Sequence, residues 1–146
     1  LHENGVTAFG FDIGPALVAG ENVVAVRTGG DERPLSIPAK SAGQGSGVNG
    51  GEFLMLALAT CYCNDLYREA ARHGITLDAV EVEATAHFPG VGLAASDIRY
   101  RARVASPADP ATIVALLQHT DAVAEVHNTV RSGQPVVLVT ESPIEP

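Results

Sequence analysis

The stretch Glu52-Phe-Leu-Met-Leu-Ala-Leu-Ala-Thr-Cys61-Tyr-Cys63-Asn-Asp65-Leu-Tyr-Arg68-Glu-Ala-Ala-Arg72-His73 decides how this chain folds. Strong helix formers fill it, and neither Gly nor Pro interrupts it. Asn49 or Gly50 stands before it as a cap. Gly74 follows Arg72 and His73, where a helix C-terminus favours Gly and positive charge. Residues 52–73 are therefore expected as one central helix, roughly 33 Å long at about 1.5 Å per residue. From Phe53 its first two turns are apolar on every side, which predicts burial all round. Both cysteines of the chain, Cys61 and Cys63, fall near its midpoint.

On the C-terminal side of this helix the hydrophobic period changes to two. Val80, Val82, Ala84, Ala86 and Phe88 alternate with Glu81, Glu83, Thr85 and His87, a half-buried strand ended by Pro89-Gly90. Ile98, Tyr100, Ala102 and Val104 alternate with Asp97, Arg99, Arg101 and Arg103. Paired antiparallel, the acidic and basic outer faces meet as cross-strand ion pairs, each worth under about 1 kcal/mol, so they set register more than stability. Asp109-Pro110 opens a helix as N-cap and N1. Thr120 or Asp121 is expected to start a further short helix through Val126. Val136-Val-Leu-Val-Thr140 reads as a final strand, apolar enough to be covered on both faces.

On the N-terminal side, residues 1–40 read as short strands between turns: Val6 to Ile13, Asn22 to Thr28 and Leu35 to Ile37, with Gly29-Gly30 and Pro38 as stops. Ser41 to Gly51 is a Gly-rich approach loop. The element order predicts a single α+β domain over 1–146 with mainly antiparallel sheet: N-terminal strands in 1–40, the central helix in 52–73, and strands and helices in 78–146.

Composition narrows the partners. A net charge of −8 with a single lysine, Lys40, argues against nucleic acid and against an anionic membrane surface. The apolar run Phe53 to Ala59 is too short to span a bilayer, and the start has no signal-like pattern. Two cysteines two residues apart are no disulfide framework, which points to a reducing cytoplasm.

Gly45-Ser-Gly47-Val-Asn-Gly50 matches G-x-G-x-x-G formally. It lacks the strand directly before it, and the expected acidic partner would fall inside the helix, so nucleotide binding is not expected. Cys61 and Cys63 are rotated by about 200° on a helix, so their sulfurs diverge and neither chelate nor bond to each other. His87, His119 and His127 are scattered, and no H-x-x-x-H or C-x-x-C spacing supports zinc. Neither metal nor cofactor is expected. Cys61 shares its helix face with Asp65 and Arg68. The arginine favours a thiolate there and the aspartate opposes it. Cys63 shares its face with Leu56, Ala59 and Leu66, which reads as packing.

Three segments resemble the OsmC/Ohr family of thiol-dependent hydroperoxide reductases. Asn49-Gly-Gly-Glu52-Phe-Leu-Met-Leu-Ala-Leu-Ala-Thr-Cys61 is similar to the start of that family's central helix, which ends in its reactive cysteine. Gly74-Ile-Thr-Leu-Asp-Ala-Val80-Glu-Val-Glu83 resembles its next helix end and strand. Val126-His127-Asn128-Thr129-Val130-Arg131-Ser-Gly133-Gln-Pro135-Val136 resembles its C-terminal signature. The resemblance implies an intertwined homodimer with two sheets wrapped around paired central helices and a site at the subunit interface. It implies that Cys61 attacks the peroxide O–O bond, with Glu52 at the helix start and an arginine, Arg27 or Arg33, from the N-terminal strands. The family's resolving cysteine would fall at Ala124, so the two-cysteine cycle does not carry over.

Three readings follow. Cys61 is the nucleophile of a one-cysteine peroxidase or thiol-transfer enzyme, with a nearby arginine stabilising the thiolate, Glu52 positioning that arginine and an external thiol as reductant. Alternatively the chain binds a small apolar ligand at the dimer interface without turnover. A third reading is different chemistry built on Cys61, Asp65 and His127.

Overall fold

The computed structural model describes residues 10–18 and 23–141. Its spine is the helix α1, Gly50–Arg72. Asn49 caps it: the Asn49 side chain accepts from the Glu52 N–H at 2.8 Å, and Glu52 Oε1 accepts from the Asn49 N–H at 3.0 Å. This reciprocal box explains why the helix starts two residues before the stretch expected from helix formers alone. At the other end the chain leaves through Gly74 at φ 67°, a conformation that costs glycine nothing. Leu58, Tyr62, Asp65, Leu66, Glu69 and Ala70 form the buried stripe of α1, at the helical spacing.

Three strands precede α1: β1 (Leu17–Val18), β2 (Val23–Thr28) and β3 (Asp31–Ser36), in antiparallel order β1-β2-β3. The third begins at Asp31, earlier than Leu35, because the Gly29-Gly30 turn closes β2 onto β3 directly, pairing Thr28 with Asp31. The expected alternation from Val6 lies mostly outside the described residues; within them, Ile13 bridges Thr28.

After α1 come β4 (Ala79–His87) and β5 (Ser96–Ala105), antiparallel and in the register the alternation predicts. Glu81 faces Arg103 and Glu83 faces Arg101, and Arg103 pairs with Glu81. The molecule is thus α+β with antiparallel sheets. Helix α1 packs against β4, and more lightly β5, on one side. On another it meets α2 (Pro110–Val123) and α3 (Glu125–Ser132). Tyr62, Leu66, Ala70, Leu116 and Ala124 make the core, with Val80, Val82, Tyr100, Ala102 and Val104 of the sheet packed around it.

Three expectations are corrected. Helix α2 does not stop for a new helix at Thr120 or Asp121. It runs to Val123, because Leu116 and Thr120 stay buried against the core and the Thr120 hydroxyl donates to the Leu116 carbonyl instead of capping a new start. The break comes at Ala124, at φ −77° and ψ 107°. Asn128 bonds the Ala122 carbonyl, and Arg131 ion-pairs with Asp121 at 2.5 Å; together they brace the angle between the two helices. Gly133, at φ 62°, ends α3.

The first turns of α1 are not buried all round within one chain. Leu56 is 58% exposed, because the three-stranded sheet does not pack extensively on this helix. Val136–Thr140 forms no strand. Val136 and Leu138 are 100% and 86% exposed, since no edge within the described chain offers this segment the hydrogen bonds a strand requires.

Candidate functional site

Cys61 lies at the middle of α1, where Tyr62 and Leu66 anchor the helix to the core and hold the thiol toward the α2–α3 corner. Its Sγ is 3.6 Å from Asp65 Oδ2, one helical turn on, and 3.8 Å from Glu125 Oε2, the first residue of α3. A thiol has one hydrogen to donate, and the nearer, buried Asp65 is the better acceptor. The backbone amide of Val126, at the start of α3, lies on the sulfur's side and favours negative charge there. Helix α3 has no side-chain cap, so this amide is one of the N-terminal donors that the helix itself leaves unpaired.

Opposed influences set the charge of the thiol. Burial pushes it up, the Val126 amide pulls it down, and the negative charges of Asp65 and Glu125 push it up again. The balance lies above the ordinary cysteine value. The expected arginine does not sit on the sulfur. Arg68 instead bonds Asp65 Oδ1 at 2.7 Å and Glu69 Oε2 at 3.0 Å, and approaches Glu125 Oε1 at 3.9 Å. Asp65 itself is raised, because burial outweighs the pull of Arg68 and the charge of Glu125 adds to it. The resting pair is therefore a protonated thiol hydrogen-bonded to a carboxylate of increased basicity. Cys61, Asp65 and Glu125 place three metal-ligand atoms within 4.8 Å of one another, and Arg68 pairs with Asp65 and approaches Glu125.

The other expected residues are dispersed. Glu52 is fastened in the capping box two and a half turns from Cys61. It lines an open groove of about 780 Å³ with Met55, Ala84, Ala86 and Phe88. Arg27 pairs with Glu32 at 2.7 Å and with the Pro15 carbonyl at 2.8 Å, within the N-terminal strands. Arg33 is exposed on β3, opposite Val26. Cys63 is half-buried on the opposite face of α1 from Cys61, in a shallow depression with Leu56 and Val82. Ala124, where a resolving cysteine would stand, is fully buried next to the two residues that touch Cys61.

His127 lies within α3. It is 3% exposed, its ring 4.4 Å from that of Tyr100 and 5.8 Å from that of Tyr62, and neither ring nitrogen has a hydrogen-bond partner. Burial, and next the nearby Arg131, hold it below the usual histidine range. Burial and the charge of Asp121 push Tyr62 up to about 12, and its hydroxyl donates to the Leu117 carbonyl.

A pH dependence follows. The unfolded chain protonates this histidine near its ordinary pKa of about 6.5, whereas the folded chain resists until lower pH. The unfolded state then binds more protons in that window, so stability falls as pH drops through it. His127→Phe is expected to flatten this part of the stability–pH curve in urea unfolding at pH 7 and pH 5.5. An unchanged slope would show that another group carries it.

Sequence reasoning missed Glu125 and the Val126 amide. They lie 64 and 65 positions from Cys61, and no spacing marks them. Only the resemblance of the segment around Val126 to a known signature hinted that α3 belongs at the site.

The chain is similar to known proteins in one direction. A family model described as OsmC-like protein matches residues 43–139, about two thirds of the chain. No curated protein matches it by sequence. Among solved structures, the chain is similar to an OsmC-like protein from Mycoplasma pneumoniae at TM-score 0.62 and 18% identity, covering 87% of this chain and 91% of the other. It is also similar to an organic hydroperoxide resistance protein OsmC from Legionella pneumophila at TM-score 0.54 and 18% identity, covering 86% and 92%. A third similar structure, described as a putative organic hydroperoxide resistance protein from Vibrio cholerae with captopril bound in one active site, has TM-score 0.52 and 20% identity, covering 90% of each chain.

Proposed function

This chain belongs to the OsmC-like protein family, and on that premise we propose that it reduces organic hydroperoxides with Cys61 as a one-cysteine peroxidase. The observation that carries the reading is the half-buried thiol hydrogen-bonded to Asp65 Oδ2 at 3.6 Å. Asp65 takes the thiol proton as the sulfur attacks the outer peroxide oxygen. The S–O bond forms, the O–O bond breaks, and the departing alkoxide collects the proton from Asp65. The Val126 amide stabilises negative charge on sulfur during the transfer. The resulting sulfenic acid condenses with an external thiol, releasing water and leaving a mixed disulfide. A second thiol restores Cys61 and leaves as the oxidised disulfide. The proposed compartment is a reducing cytoplasm, where free thiols persist. Among the described residues no helix is long and apolar enough to cross a membrane.

Titration with an organic hydroperoxide in the presence of dimedone, read by mass spectrometry, is the test. A dimedone adduct on Cys61 is the expected result. A Cys61 that stays reduced in excess peroxide overturns the reading.

The proposed active form is a homodimer. The exposed apolar segment Val136–Val139 and the uncovered Leu56 face support it, since both lack the partners that such surfaces require. Glu52, with Arg27 or Arg33, is assigned to the peroxide-binding side across the subunit interface, because within one chain none of them contacts the thiol. Replacing Val137 and Leu138 together by Lys is expected to shift sedimentation from twice the chain mass to the chain mass. A variant that still sediments as a dimer places the interface elsewhere.

A second reading rests on the apolar groove bordered by Met55, Ala84, Ala86 and Phe88. It would take a small apolar ligand without turnover, and uptake would then survive Cys61→Ser.

A further inference from the structure

The last two turns of α1 carry a second cluster, separate from the thiol. Glu69 lies in the last turn of α1, His73 is the residue that caps its C-terminus four positions on, and His119 reaches them from α2. One ligand atom from each of the three lies within 4.8 Å of the other two. Glu69 is fully buried, and its Oε1 accepts from His119 Nε2 at 2.7 Å. The His73 and His119 rings meet edge to face, 5.2 Å apart, and His73 Nε2 is buried without a hydrogen-bond partner.

A buried ion-pair network accounts for Glu69, which also receives Arg68 on Oε2 at 3.0 Å and Arg72 on both oxygens at 3.1–3.2 Å. It does not account for His73. A ring nitrogen sealed from water loses free energy unless something bonds it. The missing partner has to satisfy a histidine nitrogen beside a second histidine and a carboxylate.

We propose that Glu69, His73 and His119 form a binding site for a divalent cation of the zinc type, which ties the C-terminal end of α1 to α2. Two imidazoles and one carboxylate are a donor set that zinc accepts, with a fourth position left for water. Around a tetrahedral zinc with bonds of about 2.0–2.1 Å, ligand atoms stand roughly 3.3 Å apart, so side-chain adjustment alone closes the cluster. The ion takes Glu69 Oε1 and His119 Nε2, displacing the proton between them to His119 Nδ1 or to solvent. Arg68 keeps Oε2 and orients the carboxylate from behind. Arg72 competes with the ion, because it contacts Oε1 directly.

The probes are Zn2+ by calorimetry and Co2+ by absorption, on metal-stripped protein. The background is Cys61→Ser, which removes the thiol near the other carboxylates. One ion per chain is expected, with no thiolate-to-cobalt charge-transfer band, and Zn2+ raises the melting temperature. His73→Gln and His119→Gln, each checked for native circular dichroism, are expected to weaken binding about tenfold or more. Arg72→Gln is expected to tighten it roughly two- to fivefold by removing a competing charge. A purely structural ion pair predicts no such gain. Absence of stoichiometric Zn2+ binding in the Cys61→Ser protein overturns the proposal. So does an affinity that neither histidine variant changes.

Discussion

Asp65→Asn is expected to slow the reaction of Cys61 with an organic hydroperoxide by about a hundredfold or more while making the thiol more reactive toward iodoacetamide. The two effects have opposite signs because the carboxylate plays two parts. As a neighbouring negative charge it disfavours the thiolate, so its removal lowers the thiol pKa and speeds alkylation, which needs no proton on a leaving group. As a base it moves the thiol proton to the departing alkoxide, a role that contributes typically 10²–10⁴-fold. Glu125→Gln separates these parts. It removes the same sign of charge but not the nearer, buried acceptor, so alkylation should again accelerate while the peroxide reaction is retained or improved. Stopped-flow peroxide kinetics beside alkylation rates at pH 7 make the comparison. If Asp65→Asn accelerates both reactions, Asp65 only holds the thiol protonated, and the proton route proposed above is wrong.

Leu116→Ala is expected to cost about 2–5 kcal/mol, and Leu66→Ala a similar amount. Both side chains are fully buried in the layer where α1 meets α2, and a truncation leaves a cavity that the surrounding Tyr62, Ala70 and Ala124 are poorly placed to fill. Against a total stability of about 5–15 kcal/mol, either loss is large. Urea unfolding at fixed protein concentration measures it, the concentration being held because a dimer's stability depends on it. Val91→Ala, at a fully exposed position, should stay within about 0.5 kcal/mol. A Leu116→Ala cost below about 1 kcal/mol would mean that the core closes over the gap and that this layer is not the main anchor of α1.

The two largest parts of the fold were legible because their signals are local. Asn49, read as one of two possible caps, marked the helix start to within two residues and Gly74 marked its end, since capping groups lie within a turn of what they cap. The period-two alternation of β4 and β5 survives because each residue's face is set by its own position in the pleat, and opposite charges then fix the register. Val136–Val139 has the same kind of local signal and still forms no strand. A strand is completed by hydrogen bonds to another strand, and this one finds no edge within its own described chain. Leu56 departs from expectation for the same reason: apolar character states a need for cover without saying who supplies it.

The candidate site divides along the same line. By itself the sequence determined that Cys61 and Asp65 share a helix face, that Cys63 points away, and that no cysteine stands at position 124. All of these follow from helix periodicity and residue identity. Only the tertiary structure decided the charge around the thiol. The α2–α3 corner, braced by Asn128 and Arg131, brings the Glu125 carboxylate and the Val126 amide to Cys61 from more than sixty residues away. The same packing turns Arg68 onto carboxylates rather than onto sulfur. Electrostatic influence falls off with distance in space and not along the chain, so the balance that keeps this thiol protonated could be read only once α3 was in place.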